Sequence, residues 1–192
     1  MESTKDSSNE SKDALKEYGI IFLSASICSS TAEAICREII EHNVTGKLDH
    51  IQMIINSPGG EVNSGFAIID IMEWSTIPVY TTGMGLIASM GLMIFMAGTK
   101  GRRVLTPRTS ILSHRFSGLS FGNHSQLLAA RKQEDILHER IIEHYKSYSN
   151  LKCSKEIEDS LLCETDKWLS PEDAIQFGLA DEIESFKQGR LA

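Results

Sequence analysis

Apolar residues in the first hundred positions fall into two alternating patterns, short continuous runs and stretches where they recur every three or four residues. Residues 18–24 (YGIIFLS) form a run of buried-strand type. Ser30-Thr31-Ala32-Glu33 then has capping-box spacing, in which side chains satisfy the first free N–H groups of a helix, ahead of Ile35, Ile39 and Ile40 at helical intervals. The alternation repeats. Residues 50–56 (HIQMIIN) read as a second strand, Ser57-Pro58-Gly59-Gly60 as a turn, and residues 63–74 as a helix with Phe66, Ile69 and Met72 facing inward. A third strand is expected over 77–82, and a further helix from near Ser89.

Strands separated by single helices require parallel crossovers, and an all-apolar strand such as Met53-Ile54-Ile55 suits a sheet covered on both faces. The expected fold class is α/β. Residues 103–122 read as two short strands. Residues 123–150 read as one long charged helix with Leu127, Ile136, Ile141 and Ile142 on its apolar side. About 25 helical residues at 1.5 Å each reach nearly 40 Å, more than a domain of this size needs, so the helix is expected to protrude and contact another subunit.

The chain's 192 residues suit one domain, at roughly 100–200 residues per domain, here 13–192 behind a polar and flexible arm at 1–12 (MESTKDSSNESK). Hydrophobic residues at 41% and charged residues at 23% fit a soluble globular protein and exclude a mostly disordered or fibrous chain. The net charge of −7 disfavours a reader of phosphate backbone or a binder of anionic membrane. Cys28, Cys36, Cys153 and Cys163 form no C-x-x-C pair and read as thiols in a reducing compartment. The apolar stretch 84–98 is shorter than the roughly 20 residues a bilayer span needs, and no secretory signal opens the chain. A cytoplasmic location is expected.

Candidate chemistry begins at Gly83-Met84-Gly85-Leu86-Ile87-Ala88-Ser89-Met90-Gly91, which places Ser89 after a strand and before a helix. Unpaired N–H groups at a helix start stabilise an oxyanion formed beside them, and that of Met90 is a natural donor. The strict G-x-S-x-G elbow is not met, because Ile87 occupies the first glycine position. A protonated serine is a poor nucleophile and needs a base. Among six histidines, His138 and His144 lie on the long helix, His42 and His50 flank a turn, and His124 opens the long helix. The segment HERIIEH fails the H-E-x-x-H zinc pattern, and neither metal nor cofactor is expected. His114 differs, following Ile111-Leu112 at the end of a strand expected beside the one feeding Ser89. Asp166, just ahead of the Ser170-Pro171-Glu172-Asp173 helix start, is the candidate carboxylate for the far ring nitrogen.

From about residue 13 to 184 the chain resembles the Clp protease proteolytic-subunit (ClpP) family of self-compartmentalising serine proteases. The matching segments stand in order. They include Leu15-Lys16-Glu17, Ile20-Ile21-Phe22-Leu23, Ile55-Asn56-Ser57-Pro58-Gly59-Gly60, Asp70 and Met72, then Ala88-Ser89-Met90-Gly91, Ala97-Gly98, Lys100-Gly101, Arg103, Pro107 and His114. Asp166, Leu169-Ser170, Glu172, Ala174, Phe177-Gly178-Leu179 and Asp181 complete the series. The resemblance implies that Ser89 is the nucleophile, His114 the general base and then acid, and Asp166 the orienting carboxylate. It implies an oxyanion hole of Gly60 and Met90 N–H groups, and Gly59-Gly60 allows the required close backbone approach. It further implies a crotonase-like fold of repeated β-β-α units, with the long helix as a handle between two stacked heptameric rings. Peptide and unfolded-protein substrates would pair in β fashion on a strand containing Ser117, Gly118, Leu119, Ser120 and Phe121. An AAA+ unfoldase would feed the chamber.

The chain departs from the family pattern in two places. After the histidine the family usually has Gln-Pro and a paired glycine, whereas Arg115-Phe116-Ser117-Gly118-Leu119 follows here. The family's apolar N-terminal anchor and pore hairpin are matched only by MESTKDSSNESK, so an unfoldase is expected to engage through altered contacts. Competing readings are a signal-peptide-peptidase-like Ser-Lys enzyme with Lys100 as base, a non-catalytic ring subunit of a Clp complex, and an acyl-CoA enzyme of the same broad fold.

Overall fold

A computed structural model of the chain describes residues 14–118 and 120–185, so the expected arm at 1–12 lies outside the described residues, as does Leu119. Strand β1 (Ile20–Leu23) buries Ile21 and Leu23 and turns Phe22 outward. Helix α1 (Ser29–Thr45) follows and ends at Gly46, whose φ of 59° lets its N–H close on the His42 carbonyl at 2.9 Å. Its start lies earlier than the Ser30–Glu33 spacing suggests. Thr31 supplies the cap, its hydroxyl accepting from the Cys28 N–H at 2.8 Å.

Strand β2 (Ile51–Ser57) leads into α2 (Val62–Trp74), which packs on α1. In β2 only alternate residues are fully buried: Ile51, Met53, Ile55 and Ser57, with Ile54 half-buried. Cover on both faces is expected from the sequence, and in the single chain the face opposite the core is covered only in part. In the parallel register Phe22, Ile54 and Thr82 form one row and Ile20, Gln52 and Tyr80 another, on the face opposite the core.

Strand β3 (Val79–Ala88) is longer than expected, because Gly83 and Gly85 continue it rather than end it. Its first part pairs in parallel with β4 (Arg103–Leu105), and its last three residues pair with β5 (Ser110–Ser113). The change of partner coincides with an irregularity opposite β2, where Gly85 adopts φ 66° and Asn56 Oδ1 accepts from the Leu86 N–H at 3.1 Å. Between β3 and β4 lies α3 (Met90–Met96), every residue of which is buried.

Helix α4 (His124–Tyr148) is the expected long helix, capped by Asn123, whose side chain accepts from the Gln126 N–H at 3.0 Å. Its second half is anchored through Ile141, Ile142, His144 and Tyr145. Its first half leaves Leu127 42%, Leu128 59% and Ile136 39% exposed, as a protruding helix would. Helix α5 (Ser154–Ser160), strand β6 (Lys167–Leu169), α6 (Pro171–Phe177) and β7 (Glu182–Ile183) complete the fold. Strand β6 runs antiparallel to β5, and β7 closes the other edge beside β4. The chain is α/β, as expected. Among the described residues no helix is long and apolar enough to cross a membrane.

Candidate active site

Ser89 joins β3 to α3 with φ 55° and ψ −125°, and is the one non-glycine residue with positive φ among those described. Holding a side-chain-bearing residue there costs of order 1–3 kcal/mol, so the surroundings must impose it. Two contacts do so. The Ser89 N–H donates to the Leu112 carbonyl of β5 at 2.9 Å, and its own carbonyl accepts from Leu92 and Met93 at 3.0 and 3.2 Å to start α3. On the other side, Gly59 presses against it so closely that no β-carbon fits between them.

The glycine turn is fixed in its own right. Gly60 forms an isolated parallel bridge with Ile27, in which Ile27 N–H donates to Gly59 O at 2.8 Å and Glu61 N–H to Ile27 O at 2.9 Å. In a parallel pair the partner's bonds go to the residues flanking the bridged one, so the Gly60 N–H points away from Ile27 and has no backbone acceptor among the described residues. The Met90 N–H, first in its helix, likewise lacks an acceptor one turn back. Sequence reading missed Gly65 of α2, which makes room for the Met90 side chain: a β-carbon there would lie 2.3 Å from Met90 Cε. A glycine inside a helical pattern, just ahead of Phe66, was the available signal.

His114 follows the last residue of β5 and is half-buried. Its place opposite Asp166 comes from register. Strands β5 and β6 pair Ile111 with Leu169, Leu112 with Trp168 and Ser113 with Lys167, and the next rung would join His114 to Asp166. Because β3 and β5 are parallel and β6 antiparallel, Ser89, His114 and exposed Asp166 gather at one end of the sheet. That is the carboxyl end of β3, where ligands commonly bind in parallel α/β sheets. Among the described residues, no hydrogen bond joins the serine hydroxyl to the ring or the ring to the carboxylate in this single chain.

The remaining histidines have other engagements or positions. His144 is buried with Nε2 donating to the Met93 carbonyl at 2.9 Å. His138 pairs with Glu158 at 3.0 Å, His50 stacks on Tyr80 with centroids 4.4 Å apart, His42 is buried in α1, and His124 begins α4. Lys100, the base of the Ser-Lys alternative, is at the wrong end. Its neighbour Thr99 donates to Val79 at the start of β3, whereas Ser89 follows the strand's last residue, about 30 Å away for ten residues at 3.3 Å each.

The substrate segment differs from expectation. Ser117, Gly118, Ser120 and Phe121 are exposed and outside any strand, and the two strands expected over 103–122 are β4 and β5, which end before it. A strand exists only where a neighbour completes its ladder, and among the described residues this segment pairs with no strand, its side-chain bond going from Ser120 to Glu134 of α4. All four cysteines are free thiols.

Comparison with known proteins agrees with this architecture. The family profile described as Clp protease matches residues 3–187. The chain is 34% identical over 164 residues to the ATP-dependent Clp protease proteolytic subunit of Deinococcus radiodurans, covering 85% of this chain and 79% of that protein. Identity is 31% over 166 residues with proteolytic subunit 2 of the ATP-dependent Clp protease of Cutibacterium acnes, covering 86% and 77%. With the corresponding subunit 2 of Corynebacterium glutamicum it is 29% over 184 residues, covering 96% and 90%. The chain belongs to the Clp protease family.

Proposed function

We propose that the chain is a serine-type endopeptidase subunit that hydrolyses peptide bonds through an acyl-enzyme. Ser89 is the nucleophile, His114 the general base and then general acid, and Asp166 the carboxylate that orients the imidazole. One observation carries the reading: a serine held at positive φ on a strand-to-helix junction shares one sheet end with a histidine and an aspartate that each lie one residue beyond the paired ends of β5 and β6.

In this mechanism His114 takes the proton as Ser89 Oγ attacks the scissile carbonyl. The Gly60 and Met90 N–H groups, left without backbone acceptors, receive the oxyanion, and each such donor is worth about 100-fold to 1000-fold in rate. His114 then returns the proton to the departing amine, and a water repeats the cycle on the acyl-serine. The open triad of the single chain is compatible with this, since catalytic hydrogen bonds often tighten only in the reactive complex.

The working form is an oligomer of two stacked heptameric rings enclosing the sites, joined through the protruding half of α4 and its exposed Leu127, Leu128 and Ile136. The segment carrying Ser117, Gly118, Ser120 and Phe121 offers free backbone on which an extended peptide adds as a strand. That the relatives are proteolytic subunits of ATP-dependent Clp proteases supports an AAA+ unfoldase partner and a cytoplasmic setting. The intact set of Ser89, His114 and Asp166 favours a working enzyme over a purely structural ring subunit.

The test is to separate assemblies by size, weigh each by native mass spectrometry, and assay fluorogenic peptide hydrolysis in each. Activity confined to a ring-sized species and lost in Ser89→Ala is expected. Hydrolysis that survives Ser89→Ala would overturn the proposal.

A further inference from the structure

The two residues flanking His114 are tied to two carbonyls just past the end of α5, at the start of the segment leading to Asp166. Ser113, fully buried, donates from Oγ to the Leu161 carbonyl at 2.7 Å. With its one hydrogen directed there, it accepts from the Tyr145 hydroxyl of α4, also at 2.7 Å. On the other side of the histidine, Arg115 Nε donates to the Leu162 carbonyl at 2.6 Å. Backbone carbonyls in a loop need partners as much as those in a ladder, and these two are satisfied by side chains from a strand end 48 and 47 residues earlier in the chain.

The arrangement bears on geometry rather than on bond-making. Strands β5 and β6 pair over three rungs only, and the ladder stops at Ser113 and Lys167, one step before His114 and Asp166. Register alone therefore leaves the separation of ring and carboxylate loosely set. A fastening on each side of the histidine, both reaching the strand-preceding loop of the aspartate, fixes it. Burial pushes the Tyr145 phenol up to about 12 despite its bond to Ser113, so the hydroxyl remains a donor at working pH.

We infer that Ser113, Tyr145 and Arg115 are positioning residues that hold His114 in register with Asp166 through the Leu161 and Leu162 carbonyls. Arg115 thus gains a role at a place where the chain departs from its family's usual sequence. The inference rests on the triad reading of the proposed function.

The experiment compares steady-state hydrolysis of a short fluorogenic peptide by the assembled full-length protein and by Arg115→Ala, Arg115→Lys, Tyr145→Phe and Ser113→Ala. Ile39→Val, a buried α1 substitution outside this network, controls for stability. Since an ångström of misplacement can cost about 100-fold, the expected result is a fall in kcat of about tenfold or more for Arg115→Ala and Tyr145→Phe. KM should stay within about twofold, and Arg115→Lys, which keeps a donor of similar reach, should recover most of the loss. Combining Ser113→Ala with Tyr145→Phe should cost no more than either alone, because both cut one relay. Unchanged kcat in Arg115→Ala and Tyr145→Phe, or losses that follow Tm and are matched by Ile39→Val, would overturn the inference while the triad stands. Arg115→Ala alters an exposed side chain and keeps the test decisive if Ser113→Ala fails to fold. An inactive wild type would overturn the triad reading and this inference together.

Discussion

A β-carbon on Gly59 would lie 2.6 Å from the β-carbon of Ser89 and 2.7 Å from the Ala88 carbonyl oxygen. On the proposed mechanism, the closeness of that turn to the serine brings the Gly60 amide beside the one supplied by α3. Gly59 also has φ 89°, a conformation that side-chain-bearing residues adopt at a cost of about 1–2 kcal/mol. Gly59→Ala is expected to lower stability by about 2 kcal/mol or more and to push the turn away from Ser89, cutting kcat at least about 100-fold. Thermal unfolding and peptide kinetics on the same preparation measure both.

Asp166→Asn keeps the size of the side chain and removes its charge. On the proposed mechanism the imidazole then loses the group that would select its tautomer and stabilise its protonated form, so kcat is expected to fall by about a thousandfold to ten-thousandfold. Asp166 is exposed, so Tm should change little. Retention of more than about a tenth of the wild-type kcat would remove Asp166 from the mechanism.

Local patterns foretold the local elements. The spacing of Ile35 and Ile39, the turn after Ser57 and the long charged run from Asn123 all became structure close to where the pattern placed them. What stayed hidden depends on pairing between distant segments. Gly83 and Gly85 look like strand breakers, yet one packs beneath Leu105 and the other forms the irregularity at which β3 changes partner. At the site, Ser89 and His114 were readable as residue types at element ends. The rung opposite Asp166 and the Ser113–Tyr145 bond depend on chain register and on a contact across 32 residues, for which local periodicity has no signal.

His144 makes stability depend on pH. Burial drives its pKa down to about 4, against a weaker upward pull from the Met93 carbonyl, compared with an ordinary value of 6.5. Between those values the unfolded chain carries a proton that the folded one does not. Stability is therefore full above about pH 6.5 and declines as pH falls toward 4, by on the order of 3 kcal/mol. Denaturant titrations from pH 7 to 4.5 should show this slope in the wild type and a flatter one in His144→Gln. Equal slopes would assign the effect elsewhere.

Arg103, only 4% exposed, meets Asp181 through two side-chain bonds of 2.9 and 2.6 Å and also donates to the Tyr148 carbonyl. Burial alone would raise the Asp181 pKa, but hydrogen bonds from Arg103 and the Gly101 N–H outweigh it and hold the carboxyl below its ordinary value. The pair's contribution is thus present above the ordinary carboxylate range near pH 4 and is lost as pH falls further. Asp181→Ala, which leaves a buried guanidinium without its counter-charge, is expected to cost about 3–5 kcal/mol at pH 7. A loss below about 1 kcal/mol in equilibrium unfolding would mean that water reaches the guanidinium.

Reaction with a fluorophosphonate, followed by intact mass and peptide mapping, puts the reactivity of one hydroxyl on trial. One adduct per chain, carried by Ser89, absent from Ser89→Ala and formed far more slowly in His114→Ala, is the outcome that nucleophile and base require. An adduct on any other residue, or equal labelling rates with and without the imidazole, would contradict them.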